Sequence, residues 1–229
     1  MNQAGAKNDG KPVLVSVAYE AIYKKIVTLE FKPGQPLQEK VLCGQLKIGR
    51  TPIREALFLL SNEHLVEFKP QSGFIVKPIT FQGVKSMFKA MRLFELGAAQ
   101  FMVNEDFSDY LVQMSQSNAT VEKAIVAKDV YALVQANHEF HMAFVRCSHN
   151  EFLIKAMHEV RCEANRMAYL SFNQEFETTV SNVDHYSSVI RHHNELIAAA
   201  EQRDLPRMEI IIGDHITNFQ NRIVNYLIA

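Results

Sequence analysis

The stretch from Leu37 to Leu60, LQEKVLCGQLKIGRTPIREALFLL, decides how the front of this chain folds. It reads as two short helices joined by a tight turn. Val41, Leu42 and Leu46 form the apolar side of the first, and Ile53, Leu57 and Leu60 that of the second. The second helix opens on Arg50, Thr51 and Pro52, with proline suited to a first helical turn, and Arg54 follows one turn later. A helix N-terminus with two outward arginines can enter the major groove of DNA, where Arg bonds guanine through two donors and free backbone amides meet phosphate. The competing reading is a helical hairpin whose arginines are merely solvated.

Upstream of this stretch, Val15, Ala18, Ile22, Ile26 and Leu29 recur at helical spacing until Pro33-Gly34 breaks the run. This predicts a first helix over Val15 to Leu29, behind the helix-turn-helix. On the downstream side, the second helix is expected to end near His64. Two β-prone runs, Leu65 to Phe68 and Phe74 to Val76, then flank Lys69-Pro70-Gln71-Ser72-Gly73, which predicts a two-stranded wing with Lys69 and the turn amides placed to reach phosphate or the minor groove.

Pro78 and Thr80 mark the border of this head, with Thr80 a candidate cap for the next helix. From there to Ala229 the pattern is helical throughout, over about 81–103, 107–127, 129–147, 150–172, 182–202 and 204–228. Ser108, Asp129, Asn150 and Asp204 are expected to cap four of these helices. The fold class is therefore mainly α: an N-terminal winged helix-turn-helix over residues 11–78, an all-α six-helix bundle over 79–229, and a small, polar arm over 1–10.

Formal net charge is only −1, but it is unevenly distributed. Residues 1–78 carry +4 and the remainder −5, the asymmetry expected of a DNA-binding head joined to a domain with another task. Eight of the nine histidines lie in the second part. Three cysteines, Cys43, Cys147 and Cys162, are odd in number, lack CxxC spacing and fall within expected helices, so reduced thiols are expected. No apolar run reaches the roughly 18 residues of a membrane span, and the start of the chain has no signal-peptide pattern. The expected location is cytoplasmic.

The inward histidines carry the chemistry of the second part. On the helix from Asp129, Asn137 and His141 share the face of Val130, Leu133, Val134 and Phe144, at i, i+4 to each other. On the helix from Asn182, His193 joins Val189, Leu196, Ile197 and Ala200, while His192 falls on the wetter side. In the last helix, His215 lies among Met208, Ile211, Ile212, Phe219 and Ile223. One inward histidine is ordinarily a satisfied core residue. Three, on separate helices, offer lone pairs that a divalent ion can use, with Asn137 as a possible oxygen donor and further positions open to water or a carboxylate. His138 points about 100° away from this face.

The head resembles the winged helix of the GntR family through Phe31-Lys32-Pro33-Gly34, Leu37, Glu39, Arg50-Thr51-Pro52-Ile53-Arg54-Glu55-Ala56-Leu57 and Gly73. That resemblance implies DNA contacts by Lys40, Arg50, Thr51 and Arg54, with the wing turn at Gly73. Gly49 stands where the family usually has a capping Ser or Thr, and Lys47-Ile48 replaces its Gly-Val turn; glycine is itself an acceptable N-cap. The second part resembles the FCD ligand-binding domain of the FadR subfamily through Arg92-xx-Glu95, Asn137-xx-Phe140-His141, His193, Asp204 and His215. The resemblance implies a divalent metal (zinc, nickel, manganese or iron, with zinc or nickel favoured) held by Asn137, His141, His193 and His215. Asn137 occupies the family's Asp position, so one charge and one strong ligand oxygen are missing.

Arg92, Arg161 and Asn165 are the candidates to hold an organic anion. Arg161 and Asn165 lie one turn apart on a helix whose other inward positions are apolar, and a guanidinium there needs an anionic partner: a carboxylate effector, or Glu95 or Glu163. The expected function is a homodimeric repressor that binds a pseudo-palindromic operator and senses a small carboxylate. A metal-dependent enzyme is disfavoured, because no histidine follows a Glu by three residues and no acid lies among the four inward residues. A metal-independent regulator responsive to an acyl thioester is the third reading.

Overall fold

The computed structural model describes residues 10–102, 106–177 and 183–228. Most of the expected N-terminal arm, and Asn182 where a helix was expected to begin, lie outside these residues. The chain divides between Ile79 and Thr80 into two compact units.

The first unit begins with α1 (Gly10–Val27). This helix starts five residues earlier than its apolar spacing predicts and buries Ala18, Ile22, Tyr23, Ile26 and Val27. Leu29 adopts φ 59°, which turns the chain out of the helix. Next come β1 (Pro36–Leu37), α2 (Glu39–Leu46), α3 (Arg50–Asn62), β2 (Val66–Lys69) and β3 (Gly73–Val76). The sheet has three strands in the order β1-β3-β2, all antiparallel, where the sequence predicted two. A two-residue strand is too short to leave an alternating pattern, and β1 exists only because Pro36 and Leu37 pair with Ile75 and Phe74.

In α2 the buried apolar residue is Leu42, whereas Val41 is 48% exposed and does not take the inward place expected of it. Ile48 in the turn is buried instead. The turn is made by Lys47, which adopts the left-handed conformation (φ 55°, ψ 35°) that glycine adopts at no steric cost. Gly49 then serves as the N-cap of α3, with extended backbone and no side-chain bond. Pro52, Ile53, Ala56, Leu57 and Leu60 face the core of this unit, and α3 packs on α1.

The second unit consists of α4 (Phe81–Met102), α5 (Ser108–Ala127), α6 (Val130–Arg146), α7 (Glu151–Glu177), α8 (Val183–Glu201) and α9 (Leu205–Ile228). Asp129, Asn150 and Asp204 each accept from the backbone amide three residues on, at 3.0, 3.1 and 3.1 Å, and Thr80 does the same for Gly83 at 3.1 Å. The expected cap Ser108 is instead the first residue of α5. Asp106 accepts from its amide at 3.2 Å and from its hydroxyl at 2.5 Å, so the acid two residues earlier does the capping.

The central element is α6, with α5, α7 and α4 packed on it. It is buried around nearly its whole circumference, from Val130 and Leu133 through Phe140 and Phe144 to Val145. Its polar residues Asn137, His138 and His141 are consequently all taken out of water. Around it, α4 pairs with α9 and α7, and α8 with α9 and α5.

Candidate DNA-binding face and metal centre

The apolar stripe of α3 fixes which side chains it presents. With Ile53, Leu57 and Leu60 inward, Arg50, Thr51 and Arg54 project outward from its first turns. The side chains of Arg50 and Arg54 are 76% and 50% exposed. Lys40 is exposed on α2. Glu39 brings its carboxylate to both arginines, 2.5 Å from Arg50 Nε and 3.8 Å from Arg54 Nε, and this contact holds the Arg50 guanidinium above its ordinary pKa. A carboxylate that holds two guanidiniums at a helix start occupies them much as a phosphate would.

The wing is held to α3 by aromatic contacts. Phe58 packs edge-on against Phe74 with ring centres 5.1 Å apart, Phe68 meets Phe74 at 5.1 Å, and the Arg54 guanidinium lies 5.8 Å from the Phe58 ring. At the tip, Ser72 donates to the Lys69 carbonyl at 3.0 Å, and Gly73 at φ 72° closes the hairpin in a conformation that favours glycine. The Lys69 side chain is 54% exposed at that tip, with Glu67 at 3.9 Å.

In the second unit, His141 from α6, His193 from α8 and His215 from α9 converge. Each offers a donor atom within 4.8 Å of the others. Their ring centres are 5.0–5.3 Å apart, and Phe140 stacks flat on His193 at 3.6 Å. Burial is the main reason that all three imidazoles have pKa values well below the ordinary 6.5, and the charge of Arg161 pushes in the same direction. Neutral imidazole is the form that ligates metal.

The tautomer of His193 follows from its neighbour. Asn118 Oδ1, an acceptor, sits 3.0 Å from His193 Nδ1, and Asn118 Nδ2 donates to Asn194 Oδ1 at 2.8 Å, which fixes the amide orientation. Nδ1 therefore carries the proton. Nε2 is left as a bare lone pair, buried and without a hydrogen-bond partner. Nε2 of His141 is likewise buried and unpartnered. Orphaned acceptors at the meeting point of three histidines fit a divalent ion.

A narrow cleft opens beside this cluster, with about 420 Å³ of non-atom space including its mouth. Asn137, Arg161, Ser188, His192, His215 and Asn218 supply its polar lining, and Val189, Phe172 and Phe219 part of its apolar wall. His192 is 7% exposed and lies 5.7 Å from the His215 ring, so it belongs to the inward side of α8 rather than the wetter side expected from its sequence position. The buried stripe of α8, Val189, His192, His193, Leu196, Ala199 and Ala200, is simply wider than the narrow one read from the pattern.

Of the three residues expected to hold an anion, Arg161 lines the cleft. Arg92 is exposed, and its Nη2 donates to the Gly213 carbonyl at 3.0 Å and Thr217 Oγ1 at 2.8 Å, so it ties α4 to α9 instead. Asn165 is fully buried, and its amide donates to His138 Nδ1 at 3.0 Å. Glu163 pairs with Arg166 at 3.1 Å. Glu95, expected from the sequence as a candidate partner for Arg161, is 1% exposed, with Oε1 2.9 Å from His141 Nδ1. Its burial pushes its pKa up, opposed by the charges of His215 and Arg161. An acid therefore does stand beside the inward histidines. Its place was visible in the α4 stripe, because Phe88, Met91, Ala98 and Met102 run through position 95 at helical spacing.

A three-helix head with a small antiparallel wing, followed by an all-helical unit with a central polar cluster, defines a winged helix-turn-helix regulator joined to a sensor domain. The chain belongs to the gntR family of bacterial regulatory proteins, whose DNA-binding domain matches residues 14–76, and it carries an FCD domain over residues 86–218. It is similar to the HTH-type transcriptional repressor RspR of Escherichia coli (strain K12), with 21% identity across 94% of this chain and 91% of that protein. The HTH-type transcriptional regulator YdhC of Bacillus subtilis (strain 168) is 28% identical over 62% of this chain and 64% of its own length. Escherichia coli McbR/YncC shares the fold with a TM-score of 0.77, 17% identity, and coverage of 93% of this chain and 98% of that one. The relatives are transcriptional regulators and not enzymes. No helix among the described residues is long and apolar enough to cross a membrane.

Proposed function

We propose that this regulator is a repressor of the FadR subfamily that binds a pseudo-palindromic operator as a homodimer and responds to a small carboxylate held at a metal centre. The observation that carries the sensing half is the convergence of His141, His193 and His215, with buried ring nitrogens on His141 and His193 that have no hydrogen-bond partner. Asn137 lines the adjacent cleft and offers an amide oxygen as fourth donor. When bound, the ion supplies a Lewis-acidic centre with open positions for an anionic ligand. Arg161 from the cleft wall meets the other end of that anion, and Phe172, Val189 and Phe219 limit its size. The narrow cleft, walled by Phe172, Val189 and Phe219, suits a short acid better than a long acyl thioester.

For the DNA half, Arg50 and Arg54 read base edges, Thr51 and Lys40 contact phosphate, and Lys69 with the turn at Gly73 follows the backbone at the wing. One winged helix reaches few bases, and two related by a dyad supply the affinity and specificity that a single copy lacks. Repression accords with the function printed for the similar RspR. An effector acts by binding one dimer geometry better than the other.

The test is selection of binding sites from random DNA, followed by titration of the selected duplex with and without short hydroxy- and oxo-acids, using zinc- or nickel-loaded protein. An inverted-repeat site bound by two chains, with affinity shifted at least fivefold by one such acid only when metal is present, is the expected result. A non-repeating site, or no response in any metal state, contradicts the reading.

A further inference from the structure

Three neutral imidazoles and an amide give the proposed centre no negative charge of its own. A divalent ion there would bring two positive charges into a buried setting, where a nearby carboxylate is favourable. Glu95 is buried in the middle of the apolar stripe of α4, and its carboxylate reaches His141 Nδ1 at 2.9 Å. That contact has hydrogen-bond length but not yet hydrogen-bond alignment, and neither carboxylate oxygen has another hydrogen-bond partner. The donor atoms that lie within 4.8 Å of one another come from His141, His193 and His215, and Glu95 is not among them.

His193 is backed in the same way. Its Nδ1 donates to Asn118 Oδ1, and Asn118, 3% exposed on α5, is itself oriented by Asn194. His193 thus has one nitrogen engaged and the other bare, and His141 has its Nδ1 within reach of the Glu95 carboxylate.

Building on the metal reading above, we infer that Glu95 and Asn118 are positioning residues of the centre: they hold the Nδ1 protons of His141 and His193 and aim Nε2 of each at the ion. Glu95 also supplies, from the outer sphere, the negative charge that Asn137 withholds from the inner one. Outer-shell acceptors of this kind fix ring orientation and raise ligand basicity.

The experiment uses metal-free full-length protein and measures zinc affinity by competition with a chromophoric chelator, together with the visible spectrum of the cobalt-loaded form. Glu95→Gln keeps the shape and removes the charge. It is expected to weaken zinc binding by roughly 10–100-fold and shift the cobalt bands, while the metal-free melting temperature stays within a few degrees of the parent. Asn118→Ala is expected to weaken binding in the same direction. Asn118→Asp placed in the Glu95→Gln background returns a charge to the outer shell and is expected to recover at least threefold. If the parent itself binds no zinc or cobalt, the metal reading fails. If the parent binds and both Glu95→Gln and Asn118→Ala stay within twofold of it with unchanged cobalt spectra, the outer-shell inference is overturned.

Discussion

Replacing His138 by asparagine tests how far the helical unit depends on keeping imidazole neutral. His138 is 8% exposed on the buried α6, and its Nδ1 accepts from Asn165 Nδ2 at 3.0 Å. Burial, aided by the charge of Arg161, lowers its pKa from 6.5 to about 3. Because the folded value is depressed, this group's contribution is fully present above pH 6.5 and is lost progressively as pH falls toward the folded value. From pH 7 to pH 5 the unfolded chain takes up a proton that the folded chain refuses. At about 1.4 kcal/mol per unit across about 1.5 units, the loss is about 2 kcal/mol. The assay is urea unfolding of metal-free parent and His138→Asn, followed by circular dichroism at both pH values. Each protein is compared with itself, so the fixed cost of the substitution cancels. The acid losses from His141, His193 and His215 are common to both and cancel as well. The variant should lose about 2 kcal/mol less than the parent between pH 7 and pH 5. Equal losses would refute the reasoning.

Three further substitutions probe the frame. Arg54→Ala removes a base-reading side chain from each half-site, and at about 1–3 kcal/mol per bidentate pair the selected operator should bind at least fivefold more weakly by fluorescence anisotropy, with an unchanged melting curve. Unaltered affinity would remove Arg54 from the reading face. Lys47→Gly relieves a left-handed non-glycine residue in the helix-turn-helix, and should raise the stability of the head by up to about 1 kcal/mol in chemical unfolding. Asp129→Ala deletes the cap of α6 and should cost about 1 kcal/mol, seen as a lower urea midpoint of the helical unit.

Much of the frame was legible because its periodicities are long. The helices α4, α5, α6 and α9 begin within one residue of their expected positions, since apolar spacing and the Asp129 and Asp204 caps agree locally. What escaped was tertiary in origin. The strand β1 is two residues long and is defined only by its pairing with β3. Val41 was assigned inward by hydrophobicity, but α2 is short and turns that position to solvent. His192 was placed outward because a narrow stripe was assumed for a helix with packed neighbours on more than one side.

The candidate metal centre was half legible. His141, His193 and His215 could be chosen because each interrupts an otherwise apolar helical face, and the fold brings them together. The residues behind them were readable by the same rule. Glu95 and Asn118 also interrupt apolar stripes, but on helices that carry no inward histidine, so nothing in the pattern tied them to the cluster. For Arg92, spacing within α4 could not reveal that Gly213 and Thr217 on α9 take up its guanidinium.

The most direct test of the central claim is elemental analysis of untagged protein beside His193→Ala, for transition metal per chain. The account predicts about one equivalent in the parent, either as purified or after incubation with zinc or nickel and removal of excess, and its loss in the variant, because His193 contributes one of the bare Nε2 donors. A parent that stays free of metal after incubation, or a variant that retains the full equivalent, would contradict it.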